Sequence, residues 1–444
     1  MTKNRARLAL WCGLILAPAA YGDVLSLDAA IRYALEHNPG LAATGEQARA
    51  AAARKRAAQG ARLPRLDLNY MARQSNNPLD AFADKLNTRS VDPAADFAAE
   101  ALNEPDPSTL HSTRLSLSVP LYTGGRISAG IRGADALLTA AEQQRLRARQ
   151  HTAYQATRAY LAVQASRRLA RIADDAVAAA REHAETTARL AREGRIILSD
   201  KLTAEVYLSG VRAIREKARA QVQMTRAQLR EVLGYEEPLP PAVAPWSGTR
   251  TAFDPAPVAE LEQQALATRR DLRALEARLK AARARVDAAK ADYRPQLGLV
   301  ANSDWYDDRP GFEEHSWSVM GTVRMNLYAG GQTRQTVAAG RHRAAALAEQ
   351  AEALRLQIRR EVRSAYSQLQ AAQARLDIAA DNVGKARRTV QLVKRRYGQG
   401  RTLLIDLLQS ERALVDARTE ALTAALDYEN AVAGLRLAMG AVVE

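Results

Sequence analysis

The sequence predicts a mainly α-helical chain with a small transmembrane β part, built from two copies of a helix-strand-strand-helix-helix unit. Three observations support this fold class. The two halves of the chain match each other at a nearly constant offset. Each half contains a very long stretch of helix-forming residues without proline. Each half also contains two short segments that alternate between apolar and polar residues, as strands of a membrane barrel do.

Residues 1–22 are predicted to form a secretory signal peptide, followed by a mature chain that begins near Asp23. A transmembrane anchor is the alternative, but it needs about 20 apolar residues, and this run is shorter. Cys12, the only cysteine of the chain, lies in this segment, so no disulfide or cysteine metal ligand is expected afterwards. The signal consists of the cations Lys3, Arg5 and Arg7, the apolar run 8–17 and the small residues Ala20 and Gly22.

The formal net charge of +15 raises nucleic acid as a partner. However, the cations alternate with acidic residues and alanines along helical stretches, which is typical of solvated helix faces, so no nucleic-acid partner is expected. The six histidines are scattered without metal-ligand spacing, and no nucleophile motif is present. The sequence therefore predicts neither a metal site, nor a cofactor, nor an enzyme.

An internal repeat organises the chain. At an offset of 206 residues, PLYTGGR (120–126) pairs with NLYAGGQ (326–332), and RLAREGRIILSD (189–200) pairs with RRYGQGRTLLID (395–406). Upstream the offset becomes 231, because about 25 extra residues lie between Tyr70 and His111. This insertion is rich in Asn and Pro, which indicates a loop.

The first repeat is predicted over 23–234. Its first helix should stop before Pro64, because the residue before a proline disfavours helical dihedrals. In RLSLSVPLY, Leu115 and Leu117 face one way and Ser116 the other, which indicates a strand. The predicted elements are a helix at 26–62, strands at about 65–71 and 112–121, an extracellular loop at 72–111, a long helix at 126–193, a tip turn at 194–200 and a return helix at 201–233.

An equatorial linker is predicted at 235–256, and the second repeat at 257–444. In the return helix, Leu407, Leu414, Ala421, Tyr428 and Leu435 recur every seven positions, and such a repeat imposes a left-handed supercoil with neighbouring helices. The predicted elements are a helix at 257–293, strands at about 296–303 and 316–327, a long helix at 332–397, a tip turn at 398–402 and the return helix at 403–438.

Four strands are too few to close a membrane barrel. Hydrocarbon offers no partner for free backbone groups, and the smallest barrels have about eight strands. Membrane insertion would therefore require eight strands from a dimer or twelve from a trimer. Two soluble hairpins are the alternative reading of the strands.

Several motifs together resemble the TolC-like outer membrane efflux family. They are SLDAAIRYALEHNPGL after the signal peptide, LYTGGR and LYAGGQ after the second strand of each half, and RYGQGRTLLIDLL at the second turn. The resemblance covers essentially the whole mature chain. It implies a homotrimer with a 12-stranded β-barrel in outer-membrane lipid, continued by a periplasmic α-helical barrel.

The resemblance also implies partners and a function. The partners are a periplasmic adaptor (membrane fusion) protein and an inner-membrane transporter. The trimer would be the exit duct of tripartite efflux or type I secretion in a Gram-negative cell. A drug, a metal ion, a polysaccharide or a protein are all open as cargo. A periplasmic coiled-coil scaffold without a channel is the alternative function.

In this family the tip of the helical barrel is closed by coiled helices and acidic rings, and opens when the adaptor docks. Two departures from the family pattern indicate a weaker or differently arranged closure. Gln409 stands where some members have a second aspartate, and Arg401 lies one position before the arginine of the family's closing network. For Asp200 and Asp406, N-terminal helix capping is the alternative role. The gate candidates are Asp406, Asp200, Tyr397, Arg401 and Gln409.

Glycines mark two further places. The candidates for adaptor contact at the tips are Gly194, Arg195, Gly400 and Arg401, although helix termination alone would explain the glycines. Gly124, Gly125, Gly330 and Gly331 mark the strand-to-helix junctions. A phosphate-binding loop is rejected there, because no Gly-Lys-Ser or Gly-Lys-Thr follows.

Overall fold

The computed structural model of the chain describes residues 24–235, 242–246 and 251–441. The predicted signal peptide and part of the predicted linker lie outside these residues. The chain contains two compact units. We call the described residues of Met1–Ala43, Leu146–Arg269 and Leu356–Glu444 the helical unit, and Thr44–Arg145 with Arg270–Arg355 the sheet unit.

The described elements follow the repeat. The helices are α1 (Leu27–His37), α2 (Pro39–Gly60), α3 (Pro78–Asn87), α4 (Ala99–Asn103), α5 (Arg126–Arg192), α6 (Leu198–Leu233), α7 (Val258–Thr268), α8 (Arg270–Lys290), α9 (Gln332–Gly398) and α10 (Leu404–Met439), with a 3-10 turn at Ala291–Tyr293. The strands are β1 (Val24–Leu25), β2 (Arg65–Ser75), β3 (Ser108–Thr123), β4 (Ala242–Val243), β5 (Gln296–Asp307) and β6 (Glu314–Arg324). None of the described helices is long and apolar enough to cross a membrane.

The sheet unit contains one antiparallel sheet in the order β2-β3-β5-β6. Its register aligns apolar residues in one row across all four strands: Leu66, Leu117, Ala301 and Val319. The next row, on the opposite face, is polar: Asp67, Ser116, Asn302 and Ser318. Each strand therefore contributes to one apolar and one polar face.

The apolar face of the sheet is uncovered within the chain. Leu68 and Trp317 expose 69% and 73% of their surface, and Val319 exposes 60%. In the described part of the chain, neither β2 nor β6 has a strand partner on its outer side. The sheet thus has an exposed apolar face and two edges with free backbone donors and acceptors.

The predicted loop at 72–111 is wrong. β2 and β3 extend into it as far as the pair Ser75 and Ser108, and it contains α3 and α4. Asn77 and Pro78, which indicated a loop, instead start α3: the Asn77 side chain accepts the N–H of Leu79 at 3.0 Å, and Pro78 occupies the first turn. Asp84 of α3 is buried and accepts hydrogen bonds from Arg73 and from Ser108.

The helices predicted at 26–62 and 257–293 are both interrupted. Asn38 separates α1 from α2, because Pro39 disfavours a helical residue before it and the Asn38 amide donates to Val232 O at 2.8 Å. Arg269 separates α7 from α8. Its buried guanidinium lies 2.6 Å from the Glu361 carboxylate and donates to Ala438 O at 3.3 Å.

Smaller differences concern the ends of elements. β5 continues to Asp307, beyond the predicted end at 303, and β6 ends at Arg324 instead of 327. The return helix of the first repeat begins at Leu198, within the predicted turn 194–200. α5, α9 and α10 lie within one residue of their predicted bounds.

Two buried tyrosines bind segments outside the long helices of the helical unit. The Tyr160 hydroxyl donates to Leu25 O at 2.8 Å, beside the short parallel pair of β1 and β4. The Tyr428 hydroxyl donates to Thr251 O at 2.9 Å. Each tyrosine thereby ties a segment outside the long helices to a helix of the unit.

If the apolar face of the sheet meets lipid, Val319→Arg should abolish outer-membrane insertion, since an arginine at the bilayer midplane costs about 2 to 4 kcal/mol. Membrane fractionation measures this. Ser318→Arg adds the same charge on the polar face and should insert normally. Equal insertion of both variants would contradict a lipid-facing apolar row.

Candidate functional site at the hairpin tips

The two helix hairpins of the helical unit end in the same kind of turn. Gly194 and Gly400 have φ of +70° and +68°, a conformation that favours glycine. The N–H of Arg195 donates to Leu190 O and that of Arg401 to Arg396 O, both at 2.9 Å. These bonds close a Schellman-type end on α5 and α9. A Cβ placed on either glycine would meet nothing within 4 Å, so the backbone angle alone requires glycine.

The helix that restarts after each turn is capped differently in the two hairpins. In the second hairpin, the Asp406 carboxylate accepts the N–H of Leu403 at 3.2 Å and the hydroxyl of Thr402 at 2.6 Å. An acidic residue at the third helical position that binds back to the N-cap stabilises a helix start. Asp406 therefore acts as a cap.

Asp200 occupies the equivalent position in the first hairpin but makes no such bonds. Ile197, the N-cap of α6, has no side-chain cap, and within the described chain the Asp200 carboxylate has no hydrogen-bond or ion-pair partner. The sequence contained a signal for this difference, since Thr402 corresponds to Ile196 at the offset of 206. Of the two aspartates, Asp200 is therefore the one whose carboxylate does not cap its helix.

The charge of Asp200 lies within electrostatic range of Tyr397 of the other hairpin. Tyr397 is half-buried against a small core, and burial together with the nearby Asp200 charge raises the pKa of its hydroxyl. The core joins both hairpins through Ala176, Val177, Ala180, Ala184, Ala204, Leu208, Val211, Leu404 and Leu408.

Arg401 and Gln409 are not brought to Asp200. The Arg401 side chain is exposed and makes no ion pair within the described residues. Gln409 instead borders a groove between α6 and α10. This groove has a volume of about 600 Å³ and is mostly apolar; its lining includes Val206, Tyr207, Gly210, Ile214, Leu408 and Val415, with Arg412 and Asp416 beside them.

Two contacts of ionisable side chains between the hairpins were not predicted from the sequence. Lys394 of α9 lies 3.1 Å from the Glu182 carboxylate of α5 and lowers its pKa. The buried His183 places Nε2 3.5 Å from the carboxylate of Glu411 on α10. Both pairs join positions more than 200 residues apart, and no local pattern in the sequence indicates them.

The glycine pairs at the strand-to-helix junctions of the sheet unit all have positive φ, between +55° and +91°. The first junction is closely packed, because a Cβ on Gly124 would lie 2.6 Å from Ala291 O. At Gly330 and Gly331 a Cβ would meet nothing within 4 Å. Across residues 24–235, 242–246 and 251–441, no cluster of histidine, cysteine and acidic side chains is arranged to hold a metal ion.

Comparison with known proteins identifies the class to which this architecture belongs. The model of the family described as "Outer membrane efflux protein" matches residues 30–235 and 261–441. The chain belongs to this family, and it is an outer-membrane exit duct of the kind that efflux and secretion systems use. The predictions of family, general function and outer-membrane location are confirmed.

Individual relatives are distant but extensive. The chain is 25% identical to the outer membrane efflux protein BepC of Brucella suis over 73% of each chain. It is 26% identical to the nickel-cobalt-cadmium resistance protein NccC of Alcaligenes xylosoxydans over 78% of this chain and 77% of the relative.

Solved structures confirm the predicted fold class. The CmeC outer membrane channel of Campylobacter jejuni superposes with a TM-score of 0.81 at 16% identity, covering 93% of this chain and 85% of CmeC. VceC of Vibrio cholerae gives 0.77 at 19% identity, covering 94% of this chain and 97% of VceC.

Because Asp406 caps α10, Asp406→Ala should lower the free energy of unfolding by about 0.5 to 2 kcal/mol. Denaturant unfolding followed by circular dichroism measures the change. Asp200→Ala removes the same charge from an equivalent helix start without a cap bond, and should have a smaller effect. Equal losses would show that the helix dipole, which acts on both, dominates instead.

Proposed function

We propose that three copies of the chain close their sheets into one 12-stranded barrel, through which cargo leaves the cell passively. The free edges of β2 and β6 and the exposed apolar face of the sheet carry this proposal. In lipid, the β2 edge of one copy must pair with the β6 edge of the next. Twelve strands leave an aqueous lumen, whereas eight enclose a space that side chains fill.

A scaffold without a channel fits the same helices but not the sheet. The exposed side chains of the apolar face include Leu66, Leu68, Trp317, Val319 and Val323. A patch of this kind in water favours aggregation. Lipid contact removes it from water, and the polar face then lines the lumen.

The gate is proposed at the hairpin tips, with Asp200 and Tyr397 as its main residues. Three copies of Asp200 around an axis would form an acidic ring that favours cations and resists closer approach of the chains. Tyr397 links the two hairpins of one copy beside this carboxylate. Asp406, which the sequence analysis named among the gate candidates, is bound in the cap of α10 and takes no direct part in the proposed gate.

The adaptor is proposed to dock in the groove between α6 and α10. Gly210 leaves room for close approach, and Val206 and Ile214 expose 73% and 52% of their surface. An amphipathic helix packs into such a groove through apolar residues on one face. Gly194, Arg195, Gly400 and Arg401 lie at the turns beside it and would meet the end of the adaptor.

The cargo of the duct is proposed to depend on the transporter and adaptor that work with it. One relative is named for alkaline protease secretion in Pseudomonas aeruginosa, and another for resistance to nickel, cobalt and cadmium. Related ducts thus serve different exports. We infer that the inner-membrane transporter selects the cargo and that the adaptor delivers it to this duct.

The barrel proposal predicts the mass of the assembly. The mature chain purified in detergent should contain three copies by native mass spectrometry, because three sheets are needed for twelve strands. A stable dimer or monomer that still conducts ions in planar bilayers would contradict the proposal.

The gate proposal predicts that Asp200→Ala raises single-channel conductance in planar bilayers, because it removes the acidic ring and the negative charge near Tyr397. Asp406→Ala is the matched control: it removes the same charge from the other hairpin and should conduct like the wild type. The opposite order of effects would identify Asp406 as the gate. Unchanged conductance in both variants would place the constriction elsewhere.

A further inference from the structure

The end of α9 carries an unusual concentration of positive charge. From Lys385 to Arg401 the sequence contains seven cations and no carboxylate. All seven side chains are exposed. We call this set the basic collar: Lys385, Arg387, Arg388, Lys394, Arg395, Arg396 and Arg401.

The first repeat lacks this charge. The equivalent segment, 179–195, has four cationic side chains, Arg181, Arg189, Arg192 and Arg195, and three acidic ones, Glu182, Glu185 and Glu193. At the offset of 206, Arg388 corresponds to Glu182 and Arg396 to Leu190. The collar is therefore specific to the second hairpin and is not a general property of the repeat.

The collar is turned away from the packed side of α9. Val390 is buried, and Val383, Val393 and Tyr397 are partly buried, at the three- and four-residue spacing of one helix face. The cations occupy the remaining circumference. Two of them are paired, Lys385 with Asp381 at 2.6 Å and Lys394 with Glu182 at 3.1 Å. The five arginines have no acidic partner in the part of the chain that the structure describes.

Helix stability does not account for the whole collar. Cations in the last turn of a helix interact favourably with its dipole, but this effect fades beyond that turn. The helix dipole therefore accounts for the charges of Arg395 and Arg396 only. Arg387 and Arg388 lie about three turns from Gly398, and adjacent guanidinium groups repel one another. An external negative charge would relieve this repulsion.

We propose that the basic collar is a docking surface for an acidic, helical part of a periplasmic partner protein. This inference rests on the proposed docking of the adaptor at the tips and adds the chemistry of its contact surface. The groove between α6 and α10 supplies apolar contact, whereas the collar steers the approach and fixes the orientation, as complementary charges do at interfaces.

The arrangement of the collar favours a protein over a lipid surface. From Lys385 to Arg396 the cations extend about 17 Å along the helix axis, at 1.5 Å per residue. A partner helix lying alongside α9 contacts this whole length. A flat layer of headgroups facing the hairpin tip would contact only the end.

A charge-matched pair of variants tests the proposal in the full mature chain. The collar variant carries Arg387→Gln, Arg388→Gln, Arg395→Gln and Arg396→Gln. The control carries Arg168→Gln, Arg181→Gln, Arg189→Gln and Arg192→Gln, which removes four charges from the first hairpin outside its proposed contact residues. The probe is fluorescent poly-glutamate, with binding followed by anisotropy at low salt. We expect roughly tenfold weaker binding for the collar variant and about twofold for the control. Added salt should abolish wild-type binding.

Three outcomes would overturn the proposal. Equal weakening in both variants would show that only the net charge matters, and unchanged binding in the collar variant would show that the collar takes no part. Collar-dependent binding to phosphatidylglycerol vesicles but not to poly-glutamate would identify a lipid surface instead. Far-UV circular dichroism checks the fold of both variants. Bilayer conductance of the same samples tests the duct separately, because a failed collar leaves a conducting channel.

Discussion

The constraint on which the architecture depends is the backbone of the two outer strands of the sheet. Every N–H and C=O group in hydrocarbon needs a partner, and β2 and β6 each offer a row of these groups without a strand partner in the described chain. The apolar row that includes Leu117 and Val319 favours lipid, while the free edges prevent one chain from entering it alone. In the proposed trimer, oligomerisation is therefore a condition of membrane insertion.

The duplicated hairpins share one backbone design but differ in the bonds of the aspartate after each turn. Gly194 and Gly400 end their helices with the same left-handed turn. After the turn the two copies diverge, because Thr402 and the N–H of Leu403 engage Asp406, whereas nothing equivalent holds Asp200. A carboxylate that stabilises a helix start is not available for other contacts. Divergence at Ile196 and Thr402 therefore separates structural support from candidate gating without any change in the fold.

Local patterns in the sequence predicted the parts of the fold that depend on local physics. The long stretches without proline predicted α5 and α9, and the spacing of the glycines predicted the turns at both hairpin tips. Tertiary contacts decided the rest. Asn38 and Arg269 interrupt helices through bonds to Val232 and Glu361, which lie far away in the chain. Asn77 and Pro78 suit a loop and a helix start equally well, so their composition misled. The electrostatic influence of Asp200 on Tyr397 and the burial of His183 near Glu411 depend on the packing of distant helices. Neither could be predicted from the sequence.

The two free edges of the sheet also have a genetic consequence. In the proposed trimer, one chain with a damaged edge prevents the closure of the barrel that its normal neighbours would form. If normal and damaged chains are produced in equal amounts and assemble at random in threes, only about one ring in eight is free of damage. In a cell that carries a normal and a defective copy of the gene, most of the export capacity would then be lost.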